Sequence, residues 1–279
     1  MAQNHVLNSL SEFVSYVVAM DRRKGQLWFR GQPDAGFGLL PGVYRDNWLG
    51  GEYDIAEGFR KGAAALHSKV PDWENRTAWL SLMQHYRLKT RLLDWTTSPL
   101  IAALFAAEES NGRKPTDGKV WVLDPFMLNK LSTKELYIFV FSDLTKKVVE
   151  AVGNVLAISR DINEPIEDRF DNLVCAASPP HSDLRMMLQH AQFTVHSDTR
   201  PLELIPQLAD SILETVTIPA DKKAEFLNDL AFLGMSRLEL FPDLESLASG
   251  IPERVRQIYL AQMPGYDLAA KKGPGAPGA

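Results

Sequence analysis

The chain has 279 residues, of which 45% are hydrophobic, and a formal net charge of −5. That size and composition support a large core, and they exclude both a disordered chain and broad, charge-driven binding to long polyanions. No apolar run approaches the roughly 18 residues of a membrane span, the start lacks a basic stretch followed by an apolar one, and the single cysteine excludes an internal disulfide, so a cytoplasmic protein away from membranes is expected.

Leu7, Leu10, Phe13, Val14, Val17 and Val18 recur at helical spacing after a candidate cap at Asn8 or Ser9, which predicts an opening helix over 7–20. Gln26 to Gln32 reads as a short aromatic strand that delivers Arg30 to a glycine turn at Gly31. Residues 37–44 read as irregular chain. Helices are expected over 53–69 and from 73 to about 87, followed by a strand at 118–125 stopped by Pro125, and a segment at 137–141 that reads equally as a short strand or as helix. Between 143 and 171, Val148, Val152, Val155 and Ile158 suggest a helix. Cys175, inside Leu173-Val174-Cys175-Ala176-Ala177, reads as a small buried hydrophobe rather than a nucleophile. A short helix over 183–192 feeds a strand at 193–196; further strands are expected at 202–205 and 214–218. A helix over 221–233 ends at Gly234, and another lies within 242–260. With no internal repeat and no composition break, one α+β domain over residues 1–265 is expected, with its core at 25–250 and a disordered Gly-, Pro- and Ala-rich tail within 266–279.

The chain's chemistry gathers at residues 90–107. Thr90 to Thr96 reads as a strand or extended turn, Thr96, Thr97 and Ser98 form a hydroxyl cluster, and Ser98 and Pro99 suit the N-cap and first position of a buried helix. Arg91 and Asp94 lie beside that break. Hydroxyls and a guanidinium at a helix start suit an anionic or phosphate-bearing ligand, although a capping serine and a local Arg–Asp pair are equally ordinary features of such a turn. Arg30, Arg45, Arg87, Lys89, Arg91 and Arg185 suggest one basic pocket on an acidic protein. There is no Gly-rich phosphate loop, no GxGxxG and no HExxH, so no metal is predicted; His190 and His196 could converge on one site, but each reads first as a satisfied structural histidine. Asp94, Asp124 and Asp183 leave a weaker, metal-dependent nuclease reading open.

Four blocks carry a resemblance: Trp28-Phe29-Arg30-Gly31-Gln32, Gln84 through Pro99, Gln189-His190-Ala191-Gln192-Phe193-Thr194, and Leu240-Phe241-Pro242-Asp243-Leu244. Together they resemble the bacterial FRG domain family, whose members occur in proteins associated with mobile elements and anti-phage defence. A looser resemblance is to ADP-ribosyltransferases, which place aromatic-Arg-Gly, Ser-Thr-Ser and a catalytic Glu on three successive elements. Here Trp28 to Gly31 resembles the first, Thr96-Thr97-Ser98 the second, and Gln189 to Thr194 occupies the place of the third without a carboxylate. The second resemblance implies split mixed or antiparallel sheets with flanking helices, NAD as substrate or ligand, and Arg30, Ser98 and Gln192 as catalytic candidates. It implies a nucleotide site formed by Arg30, Gly31, His85, Tyr86, Arg91, Asp94, Thr96, Thr97, Ser98 and Gln192. A transferase or NAD-consuming effector with a protein or nucleic-acid acceptor follows from it. The missing Glu leaves two further readings: Asp94 or Glu203 supplies the charge, or the protein is a non-catalytic module that recognises a nucleotide, a nucleic-acid end or a protein.

Overall fold

The computed structural model describes residues 3–24, 26–45, 52–67, 70–110, 114–141, 173–179, 184–244, 246–248, 250–252 and 255. The chain forms two units, residues 1–235 and 236–279. The first contains one mixed sheet, not two separate ones. Its strands are β1 (Gln3–Val6), β2 (Trp28–Gln32), β3 (Leu92–Thr96), β4 (Gly118–Leu123), β5 (Phe139–Val140), β6 (Val174–Ser178), β7 (Ala191–His196) and β8 (Leu213–Ile218), in the order β1-β8-β4-β2-β3-β7-β6-β5. The two outer pairs, β1–β8 and β5–β6, are parallel, and the inner pairs are antiparallel.

The helices of this unit are α1 (Leu10–Lys24), α2 (Gly42–Arg45), α3 (Glu52–Leu66), α4 (Arg76–His85), α5 (Pro99–Ala107), α6 (Pro125–Thr133), α7 (Leu184–Leu188), α8 (Pro206–Ile212) and α9 (Lys223–Phe232). Strand alternation sends two sets of side chains to opposite faces. Trp28, Leu93, Trp95, Trp121, Val174, Ala176 and Leu213 pack with Leu128, Leu202 and Leu208 in one cluster; Leu92, Cys175, Ala177, Phe193 and Val195 pack with Trp79, Leu80 and Met83 of α4 in the other. Helix α5, apolar on almost every side, lies directly on β2 and β4. A Cβ on Gly31 would sit 1.9 Å from the Ala102 carbonyl oxygen and one on Gly118 2.1 Å from that of Ala106, so these glycines set how closely the helix approaches.

The opening helix begins later than expected, at Leu10. Ser9 and Glu12 cap it reciprocally: Ser9 Oγ accepts the Glu12 N–H at 3.2 Å and Glu12 Oε2 accepts the Asn8 N–H at 2.9 Å. Residues ahead of it form β1, a four-residue edge strand with no readable pattern. The strand expected at 202–205 is instead a 3-10 turn at Leu202–Leu204, because Pro201 and Pro206 bracket it and the Ile205 N–H closes onto the Leu202 carbonyl. Helix α6, absent from the sequence reading, starts where Asp124 Oδ1 accepts the Met127 N–H at 2.9 Å. Gly234 ends α9 at φ +79. The helix expected in 143–171 and the tail at 266–279 lie outside the described residues, as does much of the helix expected within 242–260.

The second unit contributes the short helix α10 (Arg237–Leu240). Ser236 Oγ accepts the Leu238 N–H at 3.3 Å, and the Arg237 guanidinium lies 4.5 Å from the Phe241 ring centre. Among the described residues, no helix is long and apolar enough to cross a membrane.

Candidate functional site

β2 pairs along its whole length with β4, and β3 pairs along its whole length with β7, but β2 and β3 meet through the single pair Phe29 and Thr96. Beyond that pair the ladder stops, and Arg30 spans the seam: its Nη1 donates to the Asp94 carbonyl at 2.5 Å and lies 3.9 Å from Asp94 Oδ2. Its side chain is 17% exposed, and its Nε, buried, has no hydrogen-bond partner among the described residues. Burial lowers Arg30 to about 10, with Asp94 opposing and the charge of Arg45 adding to the fall, so the guanidinium stays cationic at neutral pH. Arg45 is exposed, and its Nε donates to the Leu40 carbonyl at 2.7 Å.

The Asp94 side chain is 57% exposed, and a three-residue relay holds it in place. Gln84 Nε2 donates to both carboxylate oxygens at 2.9 Å. The Thr90 hydroxyl donates to Gln84 Oε1 at 2.5 Å and accepts the Leu92 N–H at 3.1 Å, fixing which end of the Gln84 amide faces Asp94. Sequence reasoning missed Gln84 and Thr90 as positioning groups; the signal was the glutamine that opens the block running from Gln84 to Pro99.

Thr96 Oγ1 accepts the Ser98 N–H at 3.0 Å, and the Thr97 N–H donates to the His190 carbonyl at 3.2 Å. Ser98 does occupy the N-cap of α5, but its hydroxyl forms no capping bond. The hydroxyls of Thr97 and Ser98 therefore stand half-buried at the helix start. Gln192 pairs with Trp95 and shares the sheet face of Trp28, Arg30 and Trp95. Two strand spacings put it roughly 10 Å from Arg30 across the sheet. It is nearly buried, and among the described residues its amide has no hydrogen-bond partner.

Other candidates are placed elsewhere. Gly31 turns toward α5, so its lack of a side chain serves packing. Arg91 is 1% exposed and closes a fork on Glu52, with Nε to Oε1 at 3.1 Å and Nη2 to Oε2 at 2.7 Å. Burial works against its charge, but the Glu52 carboxylate more than offsets it and raises Arg91 above the usual arginine value. This fork ties α3 to β3, and no face of it is left for a ligand. His85 packs edge-on to Tyr86, ring centres 5.0 Å apart, and Tyr86 is 51% exposed. Glu203 Oε2 accepts the Leu39 N–H at 2.9 Å. Asp124 caps α6, and Asp183 lies outside the described residues.

His190 and His196 stand at opposite ends of β7, roughly 20 Å apart by strand rise, and do not converge. His190 is exposed, whereas His196 is fully buried with Nε2 2.8 Å from Thr194 Oγ1, which also accepts the Trp95 indole N–H at 3.0 Å. Burial pushes His196 down to about 3; Asp198 resists, while Arg30 and Arg91 add to the fall. The Tyr44 hydroxyl donates to the His196 carbonyl at 2.8 Å, and burial raises Tyr44 to about 12. Burial likewise lifts the Cys175 thiol to about 12, as befits a core residue.

No curated protein and no solved structure matches the chain. Residues 25–114 match the FRG domain, a span that holds the whole seam between β2 and β3 but not Gln192.

Proposed function

We propose that the seam between β2 and β3 binds NAD or a closely related nucleotide and that the protein is an ADP-ribosyltransferase-like enzyme. One observation carries this reading: the strands bearing Arg30, Thr96 with Thr97-Ser98 just beyond it, and Gln192 are consecutive neighbours, and the sheet opens where Arg30 presents a largely buried guanidinium whose Nε has no partner among the described residues. Arg30 and the nearby Arg45 bracket a diphosphate, while Arg91 stays closed on Glu52. Thr97 and Ser98 contact the nicotinamide ribose, and Gln192 donates to or accepts from a ribose hydroxyl. The charge that glutamine lacks comes from Asp94, which pairs with Phe193 on the opposite sheet face but whose exposed carboxylate, held by Gln84, lies 3.9 Å from Arg30 Nη1 through the open seam, rather than from Glu203, which is engaged with Leu39.

In the reaction the bond between ribose C1′ and the nicotinamide nitrogen breaks, and nicotinamide leaves with the bonding electrons as a neutral molecule. Water or a macromolecular nucleophile bonds to C1′ and gives up a proton. Positive charge that builds on the ribose is offset by a nearby carboxylate. A setting in the bacterial cytoplasm, in anti-phage defence, belongs to the same proposal through the family resemblance.

Incubation with adenine-labelled NAD, with and without cell lysate, tests it. Expected are nicotinamide release lost in Arg30→Ala and strongly reduced in Asp94→Asn, and in Gln192→Ala a larger loss of turnover than of binding. Nucleotide binding that needs Arg30 without any nicotinamide release supports the second reading, a recognition module, which the absence of a carboxylate at Gln192 favours. Neither binding nor release rejects both.

A further inference from the structure

The C-terminal end of α4 carries a feature that NAD binding leaves unexplained. The Leu88 N–H bonds the Met83 carbonyl at 2.9 Å and the Arg87 N–H bonds the Gln84 carbonyl at 2.9 Å, the paired bonds of a helix stop whose left-handed residue is ordinarily glycine. Here that residue is Arg87, at φ +61, in a conformation L side chains adopt at a cost. Its side chain is exposed and makes no hydrogen bond or ion pair among the described residues. Tyr86, immediately before it, is 51% exposed and held by His85, His67 and Phe59 with interplanar angles of 84°, 79° and 45°, so none of these rings takes a stacked position on it. Lys89 is exposed one residue beyond Leu88.

We propose that this turn is a binding site for single-stranded nucleic acid, with one unpaired base stacked on Tyr86 and the adjacent phosphate taken by Arg87. An aromatic face next to an arginine matches the chemistry of a base beside its phosphate, and a paired base has no free face to offer it. The other exposed ring of this region, Trp73, lies between the exposed carboxylates of Asp72 and Glu74, which keeps a phosphate chain on the Tyr86 side.

Fluorescence anisotropy of the full chain, without NAD, with labelled twelve-nucleotide RNA and DNA single strands and the matching DNA duplex, decides the matter. Expected is binding of at least one single strand, with the duplex about tenfold weaker or more. Tyr86→Ala weakens binding at least about fivefold, as the loss of one stacked base implies, while Tyr86→Phe keeps it. Arg87→Gly weakens binding and lessens the slope of log affinity against log salt by about 0.7, yet raises the melting temperature by roughly 2–4 °C by relieving the backbone. No binding, equal affinity for duplex, or affinity unchanged in both Tyr86→Ala and Arg87→Gly overturns the proposal. Because the assay contains no NAD, its failure leaves the nucleotide reading untouched, and the failure of nicotinamide release leaves this one untouched.

Discussion

Arg30 keeps one buried nitrogen without an acceptor while another of its nitrogens substitutes for a missing rung of the sheet. A lysine carries the same charge but cannot reach the Asp94 carbonyl and a ligand oxygen together. Arg30→Lys is therefore expected to fold while losing at least about tenfold in nucleotide affinity, the cost of roughly one charge-assisted hydrogen bond, read by calorimetry. His196 makes a second, independent prediction. Its folded value of about 3 lies below the unfolded 6.5, so between those pH values the unfolded chain holds a proton that the folded chain does not. Stability accordingly drops as the pH falls below 6.5, approaching about 1.4 kcal/mol per pH unit, and is indifferent to this group above neutrality. Denaturant titrations from neutral to about pH 5 should show that slope flattened in His196→Asn. At this scale, what the sequence made readable was whatever its own neighbours decide. Thr96, Thr97 and Ser98 are adjacent, and their place at the start of α5 follows from local capping preferences. The partner of Arg91 is Glu52, thirty-nine positions earlier, and no local pattern links them.

Elements pack here on backbone contacts as much as on side chains. Gly31→Ala drives a methyl group into the Ala102 carbonyl, and neither strand nor helix has a flexible side chain to yield. The expected loss is about 3 kcal/mol or more, seen as a fall of roughly 10 °C in melting temperature or as insoluble protein. The fork between α3 and β3 gives the complementary case. Arg91→Met strands the Glu52 carboxylate in the core and should cost about 3–5 kcal/mol, while Glu52→Leu added to it should recover most of that. Both variants are read by the urea midpoint. Periodicity located α3, α4, α5 and α9 because each carries an apolar stripe. It missed β1 and turned 202–205 into a strand: β1 is four residues paired at an edge, and Leu202–Leu204 are apolar for the sake of the core while Pro201 and Pro206 dictate the turn.

Among the described residues, the eight strands and the two apolar clusters described above fall before Met235. A chain ending there is expected to fold and to keep whatever nucleotide affinity the full chain has; an unfolded circular dichroism spectrum would contradict that. The α+β class was readable from the alternation of strand and helix patterns, but the strand order was not. It rests on pairings such as Gln3 with Glu214, which join positions 211 residues apart. That pairing also dictates when the molecule can be finished. During synthesis β1 must wait for β8 before the two can pair, with Asn4 then accepting the hydroxyls of Thr215 and Thr217. A slow final folding phase, and dependence on chaperones in the interval, follow from such distant closure.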